Sequence, residues 1–389
     1  MHVVVIGPAA PREFAADLGP GTVAPPIGLG GSTVNQLMRS LLDLGHRVTL
    51  VTTSPDIDAP WRAAGDSFAV VAVPQRQRAR TRIADLYRTE RRAMAAELRR
   101  IDADVFHAHW TYEFAGAAMA AGRRPLLVTA HDSPWDILRT MPDLYRLGRL
   151  LLALRVRPGI RDMTAVSPYL ARRWRRTLAY RRPIRIVPNA VPGLAAPPRT
   201  VGRVAGPILL EIADDSRRKN IPGLLRAFRL ISGRLPGAEL RLVGAGLDDA
   251  GPLAARARQQ GLGDGVVFLG SCSRQEVAQE LADADLLVHA SFEESQGLSM
   301  LEALSVGVPV VAGSDSGGVA WTMLDGAAAR LVDVRDDGAL ADAVVALLAD
   351  RSAQRRTVAA GQEALRTRYA PTTVAGQYLE RYRELIAGG

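Results

Sequence analysis

Two kinds of segment alternate along the chain, and this pattern restricts the possible folds more than any other feature of the sequence. Short runs rich in β-branched residues alternate with longer amphipathic stretches, which is the pattern of βα units around a parallel sheet. The alternation is interrupted at 188–207, a segment rich in Pro, Gly and Ala without clear periodicity. At 389 residues the chain also exceeds the size at which one hydrophobic core usually stops growing. The sequence therefore predicts two α/β domains joined by a linker.

The alternation gives approximate bounds for each element. Strands are predicted in the first half near 2–6, 47–52, 69–73, 104–107, 125–129, 163–166 and 184–187, with helices near 31–44, 83–101 and 137–154. Strands are predicted in the second half near 207–212, 239–243, 266–269, 285–289, 309–312 and 329–332, with helices from about Leu298 and over about Val374–Ile386. Each half resembles an open, doubly wound sheet, which binds ligands at the carboxyl ends of its strands.

Positive charge is concentrated in the first half of the chain. Residues 1–195 carry 28 Arg and 16 acidic residues, a net charge of +12, whereas residues 196–389 carry a net charge of −3. The arginine runs at 76–100 and 172–176 suit an acidic lipid headgroup, a phosphorylated acceptor or a membrane surface. The alternative is that solvated arginines reflect an Arg-rich composition. No nucleic-acid-binding motif accompanies the charge, so nucleic acid is not expected as a partner.

Composition also bears on location. The single cysteine, Cys272, excludes an intramolecular disulfide, the N-terminus lacks a signal-peptide pattern, and no apolar run approaches the roughly 18 residues of a membrane span. We expect a cytoplasmic protein, with the inner face of the membrane as a more specific location.

The most informative segment follows the fourth predicted strand of the second half. Glu294 lies in a predicted loop and Glu302 inside the next helix, with seven residues between them. Gly297 lets the chain turn so that the amides of Leu298 and Ser299 point outward from a helix N-terminus. A diphosphate placed there gains the helix dipole and free N–H groups, while the two carboxylates accept hydrogen bonds from sugar hydroxyls.

Structural explanations exist for the same residues. Ser299 and Glu302 fit the S-x-x-E pattern of a helix capping box, and Glu294 fits a solvated loop acid. Lys219 fits a surface cation at a helix start, although it is the only lysine beside 48 arginines. Such a cation would almost always be arginine in this chain, which makes Lys219 informative.

Two adjacent glycines mark a second candidate anion site. Gly30 and Gly31 close a long loop before a predicted helix, and glycines there allow a close approach of backbone to ligand. The alternative is a tight strand-to-helix turn capped by Ser32 or Thr33.

Two histidines lie at the end of one predicted strand of the first half. We expect one of His107 and His109 to face the core and the other the cleft or solvent.

These segments resemble one known family. The segment with Glu294 and Glu302 is similar to the E-x7-E motif of the retaining nucleotide-sugar glycosyltransferases with the GT-B fold (family 4-like, glycosyl transferases group 1). Further similar segments occur in the family's order at 30–52, 104–110, 128–132, 165–170, 187–191, 218–228, 240–246 and 266–270. The resemblance implies an α/β, GT-B architecture of two Rossmann-like, doubly wound parallel-sheet domains facing an interdomain cleft.

The resemblance also implies a division of labour along the chain. Residues 1–195 are expected to form the acceptor-side domain and residues 196–370 the nucleotide-sugar-binding domain. Residues 371–389 are expected to form a C-terminal helix that crosses back to the first domain.

The family pattern assigns roles to individual residues. The residues implied to bind the donor are Gly30, Gly31, Arg218, Lys219, Glu294, Gly297, Leu298, Ser299 and Glu302. The residues implied to act in catalysis are His131, Glu294 and Lys219. Glu302 is implied to hold the ribose and Glu294 the transferred sugar, while Lys219 places positive charge on the leaving group and His131 reaches the sugar from the opposite domain.

The implied reaction moves a sugar from a UDP- or GDP-type donor to a hydroxyl on a glycan, a lipid-linked intermediate or a small natural product. It requires neither a metal ion nor a cofactor, since the nucleotide sugar is a co-substrate. The competing hypotheses are a sugar-nucleotide epimerase or isomerase on the same fold, and a non-enzymatic basic binder.

The sequence departs from the family pattern near the lysine. The family often has Gly-Arg five or six positions before it, where this chain has Ala213 and Asp214. Arg217 and Arg218 are the candidates to replace the missing arginine.

Overall fold

The computed structural model describes residues 1–194, 197–198 and 206–388. The chain forms two compact units, the first comprising Met1–Ala190 with Tyr369–Gly389 and the second Val191–Arg368. The chain thus returns to the first unit at its end. The predicted boundary between residues 195 and 196, and much of the predicted linker, lie outside the described residues.

The first unit is built on an eight-stranded sheet with the order β3-β4-β2-β1-β5-β6-β7-β8. Its strands are β1 His2–Ile6, β2 Arg47–Ser54, β3 Trp61–Ala64, β4 Phe68–Pro74, β5 Val105–His109, β6 Leu126–Ala130, β7 Asp162–Ala165 and β8 Ile184–Ile186. All neighbours are parallel except β3, an edge strand that runs antiparallel to β4 and that the alternation did not predict. The order reverses between β1 and β5, which is where such sheets open a crevice for ligands.

The central strands are apolar because both faces of a parallel sheet are covered. In β1, Val3 and Val5 belong to one buried cluster, while Val4 and Ile6 belong to the cluster on the other face. This explains why strands of this kind read as continuous apolar runs.

Seven α-helices of the first unit precede the second unit in sequence. They are α1 Ser32–Asp43, α2 Ala79–Ala84, α3 Arg88–Leu98, α4 Glu113–Ala120, α5 Pro134–Thr140, α6 Leu144–Val156 and α7 Pro168–Thr177. None of the helices in the described residues combines the length and apolar content needed to span a bilayer.

Two predicted helices are each divided in the structure. The predicted helix 83–101 is wrong as a single element, because Leu86 and Tyr87 have positive φ values of 51° and 58° and separate α2 from α3. The predicted helix 137–154 is also two helices. The residue before a proline avoids the helical region, so Pro142 favours an end to α5, and Asp143 then caps α6 by accepting a hydrogen bond from the Arg146 amide.

The second unit is built on a six-stranded, all-parallel sheet with the order β11-β10-β9-β12-β13-β14. Its strands are β9 Ile208–Ile212, β10 Glu239–Val243, β11 Val266–Gly270, β12 Leu286–His289, β13 Val310–Gly313 and β14 Arg330–Val332. Its helices are α8 Ile221–Ser232, α9 Pro252–Gln259, α10 Arg274–Asp283, α11 Leu298–Ser305, α12 Val319–Thr322, α13 Asp337–Ala349 and α14 Arg351–Thr367. The order reverses between β9 and β12, so the loops after these two strands meet at the switch point.

The last helix, α15 Pro371–Ala387, belongs to the first unit. Its buried face packs beside α1 in the apolar cluster that contains Val3 and Val5. The Tyr382 hydroxyl lies 2.7 Å from Nδ1 of His107 in β5, and Tyr378 lies 3.3 Å from the hydroxyl of Thr129 in β6. Polar contacts therefore fix α15 to the sheet in addition to its apolar packing.

Candidate active site

The candidate site of the second unit forms where β9 and β12 lie side by side. The loop after β9 carries Lys219 in a 3₁₀ turn, Arg217–Lys219, and the loop after β12 carries Glu294. The amide of Phe292 donates to the carbonyl of Arg218 over 2.8 Å, which ties the two loops together. Residues 75 positions apart in sequence thus become neighbours.

Helix α11 begins at this site without a capping side chain. Its N-cap is Gly297, whose φ of 82° is in the left-handed region that glycine adopts without strain. Ser299 is the second residue of the helix, not its cap, so the capping-box explanation for Ser299 and Glu302 is wrong. The amides of Leu298 and Ser299 therefore remain at the positive end of the helix dipole.

Glu294 is a buried carboxylate held by cations. Its Oε1 lies 2.6 Å from the Lys219 ammonium, and its Oε2 lies 3.4 Å from Nη1 of Arg218. Burial alone raises the pKa of Glu294, but Lys219 and its other cationic neighbours outweigh this and hold that pKa well below its usual range. Glu294 is therefore an anion at neutral pH and not the solvated loop acid of the alternative explanation.

The backbone of Glu294 is also fixed. Its amide donates to the Ser316 carbonyl over 3.2 Å, and its carbonyl accepts from the Gly318 amide over 2.7 Å. The side chain of Ser316 donates to the Ser291 carbonyl over 2.6 Å. These bonds hold the loop after β12 against the loop after β13, so the carboxylate is presented from a rigid backbone.

Two buried residues beneath Glu294 were missed by sequence reasoning. His289, the last residue of β12, lies with Nε2 3.6 Å from Glu294 and with Nδ1 3.5 Å from Oε1 of Glu211 in β9. These are ion-pair distances, slightly long for hydrogen bonds. Burial disfavours the imidazolium, yet the two carboxylates outweigh burial and raise the pKa of His289 to about 9. We call Glu211, His289, Glu294 and Lys219 the charge row, since acid and base alternate along it.

Glu302 lies apart from the charge row. It sits in the second turn of α11 and is partly buried, and burial raises its pKa. Among the described residues, no hydrogen bond or ion pair engages its carboxylate. Its side chain is thus a carboxylate free to accept hydrogen bonds from a ligand.

The candidate residues of the first unit lie at the ends of β1, β5 and β6. Gly31 caps α1 with a φ of 94°, and a Cβ there would come within 2.2 Å of the Pro8 carbonyl oxygen. Gly30 also has a positive φ, 75°, but a Cβ there would meet nothing within 4 Å. Gly31 is thus required by a close backbone approach, whereas Gly30 lies in an open part of the loop.

His131 follows β6 and is stacked on Trp110, with ring centroids 4.2 Å apart. Its Nε2 lies 3.0 Å from Nδ1 of His109. Burial lowers the pKa of His131 to about 3, although a hydrogen bond with Asn189 opposes the shift. His131 is therefore a neutral imidazole near pH 7.

The expectation that His107 and His109 face opposite ways is wrong. Residues two apart on a strand share a face, and the two rings lie 4.1 Å apart with both side chains buried. His107 bonds to Tyr382 and, over 2.6 Å, to Thr129, which is a structural role. His109 instead contacts His131 and so helps to fix the position of the His131 ring.

The comparison with protein families covers both units. Residues 30–192 match the family described as Glycosyltransferase Family 4, and residues 202–364 match the family described as Glycosyl transferases group 1. The chain belongs to the family 4, group 1 glycosyltransferases.

Individual proteins agree with this assignment. The glycosyltransferase is 33% identical over 225 residues to the phosphatidyl-myo-inositol mannosyltransferase of Mycobacterium leprae (strain TN), a match that covers 57% of this chain and 58% of that protein. Its fold is similar to that of sucrose-phosphate synthase from Thermosynechococcus elongatus (TM-score 0.78, 21% identity, all of both chains). It is also similar to Anabaena Alr3699/HepE in complex with UDP and glucose (TM-score 0.69, 17% identity, 99% of this chain and 100% of that chain). The predicted GT-B fold with two parallel-sheet α/β domains is confirmed.

The structure shows where the departures of this glycosyltransferase from its family pattern lie. Ala213 is buried under Gly244, while Asp214 is exposed and accepts a hydrogen bond from the Ser216 amide over 2.9 Å. Of the two candidate replacements for the missing arginine, Arg217 is exposed and Arg218 reaches Glu294. Arg218 is therefore the guanidinium that the fold places beside Lys219.

Proposed function

We propose that this glycosyltransferase transfers a sugar, with retention of configuration, from a UDP- or GDP-type nucleotide sugar to a hydroxyl acceptor. The observation that carries the proposal is the Lys219–Glu294 pair beside the uncapped N-terminus of α11. It joins an ammonium group, a carboxylate and free backbone amides at the switch point of a doubly wound sheet. Diphosphate charge and sugar hydroxyls are the ligand features that such a site recognises.

Donor binding exchanges partners within this pair. The diphosphate attracts the Lys219 ammonium and sits against the amides of Leu298 and Ser299, as at other helix N-termini. Glu294 is then released to accept hydrogen bonds from hydroxyls of the transferred sugar, and Glu302 accepts them from the ribose. Because His289 remains beneath Glu294, the carboxylate keeps a cationic neighbour when Lys219 moves to the diphosphate.

The proposed reaction balances without a further reagent. The bond between the anomeric carbon and the phosphate oxygen breaks, and its electron pair leaves with the nucleoside diphosphate. The acceptor oxygen bonds to the anomeric carbon on the same face, and its proton passes to the departing phosphate oxygen. Lys219, Arg218 and the α11 amides stabilise the charge that develops on the leaving group, so we propose that no metal ion or cofactor is required.

The neutral state of His131 limits its role. A neutral imidazole hydrogen-bonds to a sugar hydroxyl but adds no positive charge near the anomeric carbon.

The first unit has two further proposed roles. We propose that Gly30 and Gly31 bring backbone close to the phosphate, and that the positively charged first half takes an acidic or lipid-linked acceptor. The proposed location is the cytoplasm, at the inner face of the membrane when the acceptor is lipid-linked.

A ligand screen tests the proposal. UDP, GDP, their hexose derivatives and the parent nucleosides are compared by thermal shift, because a ligand that binds only the folded state raises the unfolding temperature by mass action. We expect one nucleoside diphosphate and one of its sugars to stabilise the protein and the nucleosides to have little effect. A screen in which no nucleotide or nucleotide sugar shifts the transition would contradict the proposal.

Turnover of the selected donor distinguishes transfer from isomerisation. With the donor and simple hydroxyl acceptors, including water, we expect the nucleoside diphosphate to be released and the new glycosidic bond to keep the donor's anomeric configuration by NMR. The variants Lys219→Ala and Glu302→Ala should each reduce release sharply, and circular dichroism at the assay temperature checks that both are folded. Conversion of the donor to another nucleotide sugar, without release, would instead indicate an epimerase.

A further inference from the structure

Helix α6 of the first unit turns an apolar face to solvent. Leu144, Leu147, Leu151 and Leu154 are 81%, 40%, 50% and 37% exposed, and their spacing of three and four residues places them in one stripe. Within α6 the only other exposed residue is Arg155. A helix on the surface of a soluble domain normally presents charged and polar residues on its outer face. The outer face of α6 therefore has the composition of a surface that becomes buried against a binding partner.

An arginine-lined cavity of about 710 Å³ adjoins this face. Its lining comes from α3 and its N-terminal approach, from the end of α4, and from Arg155 of α6. The guanidinium groups in the lining belong to Arg88, Arg91, Arg92, Arg99 and Arg155. None of these five forms an ion pair with a carboxylate in the part of the chain that the structure describes.

Some other arginines of this unit do have counter-charges. Elsewhere in it, Arg62 pairs with Glu97 over 2.6 Å and Arg149 pairs with Glu113 over 2.5 Å. The one acid in the cavity lining, Asp85, is 2.8 Å from Arg76 and thus committed to another arginine. The cavity accordingly gathers positive charge that the protein itself does not neutralise.

The leucine stripe and the cavity meet at Arg155, so they form a continuous surface. We call Leu144, Leu147, Leu151, Leu154 and the five cavity arginines the leucine–arginine surface. We propose that the first unit docks on an anionic lipid bilayer through this surface. The leucines enter the boundary between headgroups and acyl chains, as the apolar face of an interfacial helix does, and the arginines meet lipid phosphates.

Charge decides between a bilayer and a second copy of the chain. A symmetric contact through the stripe would bring the same unpaired arginines of two molecules together, because a two-fold interface uses the same patch on both. Residues 1–195, which contain the surface, already carry a net charge of +12. An anionic bilayer buries the leucines and neutralises the arginines at once. This docking does not depend on which sugar is transferred.

Vesicle sedimentation of the full-length protein tests the apolar part of the surface. We expect wild type to bind vesicles of equal phosphatidylglycerol and phosphatidylcholine, and to bind pure phosphatidylcholine vesicles far more weakly. Leu147→Glu should weaken partitioning to the anionic vesicles about tenfold, because an apolar contact is replaced by a negative charge. The matched control is Leu230→Glu on α8 of the second unit, since both leucines are 40% exposed. Thermal unfolding checks that both variants are folded.

A second pair of variants tests the arginines. Arg92→Glu should weaken binding to the anionic vesicles by about tenfold, whereas Arg355→Glu, at an exposed site of α14, should have a much smaller effect. Added salt should weaken wild-type binding.

Three results would overturn the proposal. The first is wild type that sediments equally with both kinds of vesicle or with neither. The second is α6 and α3 variants that lose no more binding than their controls. The third is light scattering without lipid that shows a dimer dissociated by Leu147→Glu, which would assign the stripe to a second copy of the chain.

Discussion

Replacing His289 with glutamine should remove a pH-dependent part of the stability of the second unit. The imidazole lies between Glu211 and Glu294 at 3.5 and 3.6 Å, and this environment raises its pKa from the ordinary 6.5 to about 9. One pKa unit corresponds to about 1.4 kcal/mol, so the shift corresponds to about 3 kcal/mol of stability. Because the folded pKa is the higher one, this stability is complete below pH 6.5 and is lost as the pH rises through 9.

The assay compares wild type with His289→Gln by hydrogen exchange of the β12 amides, Leu286–Val288, from below pH 6.5 to above pH 9. Exchange is corrected for the intrinsic rate at each pH, so that it reports the free energy of opening around the charge row. We expect wild type to be the more stable protein at the acidic end, and the difference to shrink by about 3 kcal/mol toward the alkaline end. Subtracting the variant removes the pH dependence of the groups that do not interact with His289.

The control is His46→Gln in the first unit, where burial lowers the pKa of the histidine. Because the folded pKa of His46 is lowered, its contribution to stability changes with pH in the opposite direction to that of His289. The difference between wild type and the control should therefore not shrink toward alkaline pH. A wild-type-minus-His289→Gln difference that stays constant between pH 6.5 and 9 would refute a charged His289.

Four other substitutions probe three separate parts of the structure. Glu302→Gln should slightly raise stability at neutral pH, since burial raises the pKa of this carboxyl and so penalises its charged form, while donor turnover falls; both are measured on the same preparation. Gly31→Ala should lower the free energy of chemical unfolding by about 2 kcal/mol or more, because the new Cβ would lie 2.2 Å from the Pro8 carbonyl oxygen. Gly30→Ala adds backbone strain alone and should cost about 1 kcal/mol. Equal costs would contradict the close approach at Gly31. Tyr382→Phe should cost about 1–2 kcal/mol in thermal unfolding of the first unit, because His107 loses its 2.7 Å partner; an unchanged transition would contradict that.

Sequence patterns predicted the strands well because buried parallel strands are continuous apolar runs. Among the strands in the described residues, only the half-exposed edge strand β3 was missed. The start of α11 was predicted because Gly297 is a strong local signal. The break at Leu86 and Tyr87 was not, since no glycine or proline marks it. The break before α6 had a signal in Pro142 that was overlooked.

The charge row could be predicted from the sequence only in part. Lys219 and Glu294 were identified separately, but their contact depends on β9 lying beside β12, and strand order is not a local property. Glu211 and His289 carried a weaker signal, namely an acid within the apolar strand β9 and a histidine ending the apolar strand β12. A buried charge requires a partner, so the two could have been paired once the strands were known to be neighbours.

The most direct test of the central claim is calorimetric titration of Lys219→Ala with the preferred nucleoside diphosphate and with its parent nucleoside. We expect the diphosphate to bind the variant about tenfold or more weakly than wild type, because one charge-assisted contact to phosphate is lost, while nucleoside affinity is unchanged. Arg217→Ala, at the exposed neighbouring arginine, serves as the matched control and should bind the diphosphate almost as wild type does. Equal diphosphate affinity in wild type and Lys219→Ala would contradict a role of Lys219 in binding the diphosphate.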